Sequence, residues 1–293
     1  MTGHLIVNGF LASAKFADLY ALLTAAFQKR GVRLEAYANT DFLTPLGDCP
    51  RPTSTAGTTP RPDFVLFWDK DASLARRFEQ AGIPVFNSAA AIETCDDKIR
   101  TAEALARAGV PTPRTIPAPL TFDGIGYTRL DFLARAGEEL GYPFVLKEAF
   151  GSFGQQVHLI QTPEEARDVV ATLGARRFLL QEFIASSRGR DLRVNVVGDR
   201  VRATIYRENK RDFRSNVTLG GTAADFSPTA AQAAAAVAAA KAVGATFAGV
   251  DVLFGPGGEP LVCEVNSNPH FRSTLDATGV NLADHIAEVV VQA

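Results

Sequence analysis

Glu264 and Asn266 stand two residues apart in the otherwise apolar run LVCEVN. Residues two apart in a strand share a face. A carboxylate and an amide buried side by side cost on the order of several kcal/mol unless a partner satisfies them. The preceding apolar run, GVDVLF, is interrupted in the same way by Asp251, and GPGGEP between the two runs reads as a hairpin turn. Three oxygen-bearing side chains, Asp251, Glu264 and Asn266, therefore converge on one sheet face. Hard oxygen donors suit Mg²⁺ or Mn²⁺ rather than zinc. Mg²⁺ is usually completed by substrate phosphates. A solvated sheet edge would explain the trio without chemistry, but the apolar flanks argue against it.

Phosphates need donors, and three further segments offer them. Lys147 in FVLKEAF is followed by Gly151, Ser152 and Gly154, a turn whose backbone N–H groups can cradle phosphate. No Walker motif is present, and a plain β-turn is the bland alternative. LLQEFI (179–184) is a strand leaving into a loop, where Glu182, Phe183 and Ile184 could offer backbone groups to an adenine edge; an ordinary strand end would look the same. DFRSN places Arg214, Ser215 and Asn216 together, a guanidinium, a hydroxyl and an amide suited to a transferring phosphoryl group. Arg193, Arg207, Lys210 and Arg211 add positive charge nearby in sequence, which a solvated basic face would also explain.

The elements that must hold these groups follow from periodicity. HLIVNGF, VRLEAYA, DFVLFW and IPVFN read as strands separated by helices over 14–30 and 74–80, a βαβ alternation that predicts a small parallel sheet. Residues 48–62, rich in proline and threonine, must be a loop. A boundary falls near 88–96, with Asp96 or Thr94 as cap of a helix over DDKIRTAEALARAG. Further on, helices are expected over 130–140, 162–173, 229–244 and 281–292. YPFVLKEAF, VHLIQ, FLLQEFI, DLRVNVVGD and RVRATIYREN are the remaining strands, with Gly198–Asp199 at a hairpin turn.

Composition excludes several classes. The 293 residues are 46% hydrophobic and carry a net charge of -2, which supports real cores and gives no footprint for nucleic acid or an anionic membrane. The longest apolar run, 233–240, is far short of a membrane span. The start of the chain has no signal-peptide pattern, and the 3 cysteines form no CxxC, so a reducing cytoplasmic location is expected.

Taken in order, DDK (96–98), FVLKEAFGSFG, QEFI, RGRDLRVNVVG, ENKRDFRSNVTLGG, GVDVL and VCEVNSNP resemble the ATP-grasp ligases of the RimK type, the α-L-glutamate ligase family. The resemblance runs from about 93 to the C-terminus. It implies an α/β (α+β) ATP-grasp fold: an N-terminal Rossmann-like pre-ATP-grasp domain (1–92), then two β-rich subdomains (93–180 and 181–293) with ATP between them. It further implies that Lys98 and Lys147 hold phosphates, that Glu182, Phe183 and Ile184 meet adenine, and that Asp191 holds the ribose. Arg214, Ser215 and Asn216 would face the outer phosphate and the reacting carboxylate, with Arg214 and Asn216 catalytic. Asp251, Glu264 and Asn266 would ligate two Mg²⁺ or Mn²⁺ ions. The implied activity is an ATP-dependent carboxylate–amine ligation through an acyl phosphate, which needs positioning and charge neutralisation rather than a covalent enzyme intermediate.

The N-terminal part matches the family only in its α/β character. After Asn266 the chain continues SNPHFRSTLDATG, where such enzymes carry a small glycine-containing stretch. His270, Phe271 and Arg272 are therefore read as substrate-setting, together with Arg193 and Arg207; a helix N-terminus capped by Ser273 or Asn268 is the alternative. The partners expected are amino-acid and carboxylate substrates with a small-molecule, peptide or protein acceptor. ATP-grasp ligases often form dimers or tetramers, so a homo-oligomer is an expectation by analogy. The rival readings are a dipeptide ligase resembling D-alanine–D-alanine ligase, a ligase acting on a carrier-protein tail, and an ATP-binding regulatory protein without turnover.

Overall fold

A computed structural model describes the chain except residues 12, 53–60 and 153, so most of the expected loop over 48–62 lies outside the described residues. The first unit is a parallel sheet in the order β2-β1-β3-β4, made of β1 (Thr2–Val7), β2 (Arg33–Ala38), β3 (Phe64–Trp68) and β4 (Val85–Phe86). Helices α1 (Ala14–Gln28) and α2 (Ala72–Gln80) make its crossovers. All five residues of β3 are buried, as expected of a parallel strand covered on both faces.

The helix expected over 96–109 is present, and a further helix fills the stretch read as a boundary before it. α3 (Ala89–Asp96) ends and α4 (Lys98–Arg107) begins at Asp97, whose carboxylate accepts from the N–H groups of Ile99 and Arg100. Neither Asp96 nor Thr94 is the cap. Asp97 takes that role because its backbone is extended while its side chain reaches the next turn. Its second oxygen receives Arg177 Nη1 at 2.6 Å, which ties this corner to the second sheet.

That sheet is antiparallel, β5-β8-β6-β7, from β5 (Thr115–Pro117), β6 (Phe144–Glu148), β7 (Val157–Ile160) and β8 (Phe178–Glu182). α5 (Asp131–Leu140) and α6 (Pro163–Leu173) cover it; Thr162 caps α6 with Pro163 in its first turn, as the sequence indicates. The third sheet runs β11-β10-β9-β12-β13. Its strands are β9 (Arg190–Val197), β10 (Arg200–Glu208), β11 (Thr222–Asp225), β12 (Phe247–Phe254) and β13 (Pro260–Asn266). α7 (Ala230–Ala242) packs on it, and α8 (Arg272–Thr278) and α9 (Leu282–Gln292) close the chain. Phe271 stands at the start of α8 without a side-chain cap, so neither Ser273 nor Asn268 caps it.

The N-terminal sheet does not keep its core to itself. Leu5, Leu66 and Trp68 share one apolar cluster with Phe247, Phe271, Leu282 and Ile286. Asn87, fully buried, stitches the same junction. Its Nδ2 donates to the carbonyls of Phe247 (2.9 Å) and Ser267 (2.8 Å), and its Oδ1 accepts from the N–H groups of Thr246 (2.7 Å) and Phe247 (3.2 Å). Both donors and both lone pairs of the amide are thereby used.

His4 of β1 is buried against Tyr37, at 4.6 Å between ring centroids, and neither ring nitrogen has a hydrogen-bond partner among the described residues. Burial lowers its pKa from 6.5 to about 4, against the opposing pull of Glu35. The unfolded chain therefore binds this proton more readily than the folded one. Stability from this group should be full above pH 6.5 and decline as pH falls toward about 4. The loss is at most on the order of 3 kcal/mol. As pH falls through this range, the melting temperature of wild type should fall relative to that of His4→Phe; parallel curves would show that His4 makes no such contribution.

Candidate active site

The three sheets enclose a cavity of about 740 Å³. The β12–β13 hairpin forms one wall, with Asp251 opposite Glu264 and Gly249 opposite Asn266. The register shifts after Asp251, so Val252 faces Val262 and Cys263 is the extra residue. This bulge re-aims the strand and brings Cys263 as well as Glu264 onto the cavity lining.

Asp251 sits in a ladder of buried charges across adjacent strands. Arg193 of β9 forks onto it through Nε and through Nη2 (3.0 Å), and Arg207 of β10 places Nη2 3.0 Å from Oδ1. Arg207 also forks onto Asp191, at 2.8 and 2.6 Å. Burial alone would raise the Asp251 carboxyl, but the two guanidiniums outweigh it and hold the pKa below the usual range. Asp191, Arg193 and Arg207, expected from sequence as ribose and substrate ligands, are thus taken up by internal pairs, Asp191 with Arg207 and Arg193 with Asp251. Glu264 and Asn266 are less committed. Glu264 lies 3.8 Å from Lys98 Nζ, and Asn266 Nδ2 donates to Gly249 O at 3.2 Å.

Among the described residues no cluster of three or more His, Cys, Asp and Glu is arranged to hold a metal alone. The oxygen donors of Glu264 and Asn266, with Asp251 behind them, fit a hard cation that completes its shell from phosphate oxygens.

The facing wall is cationic. Lys98 Nζ donates to Gly151 O (3.1 Å) at the glycine turn. Lys147, from the fully buried strand β6, donates to Gln181 Oε1 (2.6 Å) and to Cys263 Sγ (3.1 Å). Burial works against its charge, but Cys263 and the carboxylates of Glu264 and Asp251 more than compensate, so the ammonium is retained. Lys70 donates to Ser152 Oγ (3.1 Å) and pairs with Asp96. Arg214 is held by Asp212 and reaches over the glycine turn to Gly154 O. Gly154 has φ +74°, and a Cβ there would stand 3.1 Å from Asn216 Oδ1. Gly221 is needed for closeness: a Cβ would meet Ser215 O at 2.5 Å. These two glycines let the loop carrying Arg214, Ser215 and Asn216 close onto the turn.

At the expected adenine edge the Glu182 N–H donates to Arg114 O at 2.8 Å, so it is not free for a base. Phe183 lines the cavity with Arg188 over its ring, and Ile184 is buried beside it. His270 and Arg272 also line the cavity, but both have partners: His270 meets Phe16 edge-on at 5.5 Å, and Arg272 bridges Asp18 (2.7 Å) and Asp276 (2.8 Å).

With this geometry in place, comparison with known proteins decides the family. The model of the RimK-like ATP-grasp domain matches residues 95–290. This chain belongs to the RimK-like ATP-grasp family. It is similar to a probable alpha-L-glutamate ligase 2 of Shewanella amazonensis, 37% identical over 221 residues, 74% of this chain and 70% of that protein. A RimK domain ATP-grasp protein of Sphaerobacter thermophilus shares the fold over 99% of both chains, with TM-score 0.73 and 24% identity. So does the ATP-grasp ligase PsnB, solved with a phosphomimetic variant of its minimal precursor, Mg and ADP: TM-score 0.70 and 19% identity over 99% of this chain and 97% of that one. The family places this chain among the ATP-dependent carbon–nitrogen ligases. Among the described residues no helix is long and apolar enough to cross a membrane.

Within this cavity, three contributors were not legible in the sequence: Gln181 and Cys263, which seat Lys147, and Lys70, which seats Ser152. Only the alternation in FLLQEFI hinted at Gln181, a polar residue inside an apolar strand.

Proposed function

We propose that this ligase joins the carboxylate of one substrate to the amine of another through an acyl phosphate, at the expense of ATP. The observation that carries the reading is the meeting of the two walls. A cationic side (Lys98, Lys147, Arg214) faces an oxygen-donor side (Glu264, Asn266), and Lys98 spans them, 3.1 Å from Gly151 O and 3.8 Å from Glu264. Lys98 and Lys147 hold the nucleotide phosphates, while Arg214, Ser215 and Asn216 steady the transferring phosphoryl group. Glu264 and Asn266, backed by Asp251, hold the divalent ions, two in this proposal. Divalent ions held there would supply neutralisation of the phosphate charge. The likeness to a probable alpha-L-glutamate ligase supports L-glutamate as the first amine to try. PsnB, which was solved with a precursor, supports a peptide acceptor.

The test is phosphate release from Mg-ATP with L-glutamate and other amino acids paired with short peptides, and mass analysis of products. Release that needs one carboxylate and one amine, with a product heavier by one amino-acid residue, is expected. ATP turnover independent of any such pair would overturn the reading.

Arg272→Ala should raise KM for the carboxylate substrate severalfold and leave KM for ATP unchanged. It takes the guanidinium from Asp18 and from Asp276, and Asp276 lines the cavity. Equal KM values in wild type and variant would remove Arg272 from substrate recognition.

A further inference from the structure

The N-terminal sheet brings its own stretch of wall to the cavity, including Asn8, Phe16, Tyr20, Trp68 and Asp69. Its strand order, β2-β1-β3-β4, reverses direction between β1 and β3. In open parallel sheets the ligand crevice lies beyond the carboxyl ends of the strands at such a reversal. Asn8 follows β1 and Asp69 follows β3, so this crevice falls between them, and Asn8 Nδ2 donates to Asp69 Oδ1 at 3.0 Å.

What is missing there is a donor. Asp69 is 5% exposed, and its Oδ2 is buried without a hydrogen-bond partner among the described residues. Asn268, arriving from the end of β13, donates Nδ2 to the Asp69 main-chain oxygen at 2.7 Å, and its Oδ1 is likewise buried and has no partner among the described residues. Two orphaned acceptors at one cavity edge are costly unless a donor arrives. Neighbouring Lys70 does not supply it, because its ammonium goes to Asp96 and Ser152. Tyr20 and Phe16, ring centroids 6.3 Å apart, add aromatic surface to the same part of the lining.

We propose that this crevice binds the primary ammonium group of the amine substrate, with Asp69 Oδ2 and Asn268 Oδ1 as its acceptors. The word substrate rests on the ligase reading above; the site does not. An ammonium brings three donors and no acceptor, which matches two vacant acceptors. A carboxylate or phosphate would meet repulsion there, and a hydroxyl could satisfy only one of the two. Aromatic walls favour a cation further. Asp69 is thus a residue that selects and positions the amine.

Trp68, the single tryptophan of the chain, stands next to Asp69 and lines the cavity, so its fluorescence reports on this crevice without turnover. The probes are n-propylammonium and the isosteric neutral n-propanol. A saturable change with the ammonium is expected, with the alcohol at least about tenfold weaker, the size of one charge-assisted hydrogen bond. Asp69→Asn should weaken the ammonium response by a similar factor and leave binding of a non-hydrolysable ATP analogue unchanged. Asn keeps the acceptor for Asn8 but places an N–H₂ where the ammonium would sit. Should Asp69→Asn fail to fold by circular dichroism, Asn268→Ala decides, with an expected weakening of severalfold. No saturable response to the ammonium, an equal response to the alcohol, or an unchanged response in the folded variants would overturn the proposal. A positive titration without ligase turnover would leave an amine site and remove the ligase reading. Turnover with a negative titration would do the reverse.

Discussion

Asp251→Ala should lower stability by about 3–5 kcal/mol, because it strands the Arg193 guanidinium and takes one of two carboxylates from Arg207. In the folded protein Asp251 is 5% exposed and receives Arg193 and Arg207 together. Arg207 keeps Asp191 after the substitution, but Arg193 has no second carboxylate among its described contacts. The melting temperature should fall by roughly 6–20 °C for a chain of this size. Asp251→Asn, which retains one acceptor, should fall less. The pH dependence has a definite sign. The folded pKa lies below the unfolded one, so the contribution is present above the unfolded carboxylate range and is lost as pH falls through the folded value. A melt within about 2 °C of wild type would show that the ladder relaxes around the gap, against the size expected for a buried pair.

Glu264→Ala should behave in the opposite way, with little change in stability and a loss of turnover of about 10³-fold. Its side chain is 31% exposed and its one ion-pair partner among the described residues, Lys98, is 3.8 Å away, so its removal strands little in the resting protein. Holding a divalent ion against the phosphates is worth several kcal/mol in the transition state, and about 1.36 kcal/mol corresponds to each tenfold in rate. The measurement is phosphate release against Mg²⁺ concentration, with a melt of the same preparation. A variant that melts like wild type and has lost Mg²⁺-dependent turnover supports the proposed role. Retained turnover at ordinary Mg²⁺ would move the ion to other ligands. The contrast between these two acids, placed opposite each other on one hairpin, separates a carboxylate that the protein consumes internally from one left for ligand chemistry.

Much of this arrangement was legible in the chain. Alternating apolar runs marked the strands, and GPGGEP between GVDVLF and LVCEVN set the hairpin that places Asp251 opposite Glu264. The order of FVLKEAFGSFG, DFRSN and VCEVNSNP carried the family. These are local signals, because strand period, turn chemistry and motif spacing all act within a few residues. Asp97 shows the limit even at short range. Thr94 and Asp96 were the expected caps, yet Asp97 takes the role, because the choice depended on which backbone turned extended where two helices meet.

The rest depended on distance along the chain. Arg193 and Arg207 read from sequence as cations waiting for substrate; folding pairs them with Asp251 and Asp191, residues 58 and 16 positions away. Asn87 carried no signal, yet its amide meets backbone groups 159 to 180 residues on and locks the first sheet to the third. Asp69 looked like one more acid in FWDKDAS, and only the crossing of Asn268 over its main chain leaves two acceptors without a donor. Local period sets which way a side chain faces, because that depends on the backbone of its own strand. What it faces depends on which strands and loops pack there, and in this fold those come from opposite ends of the chain.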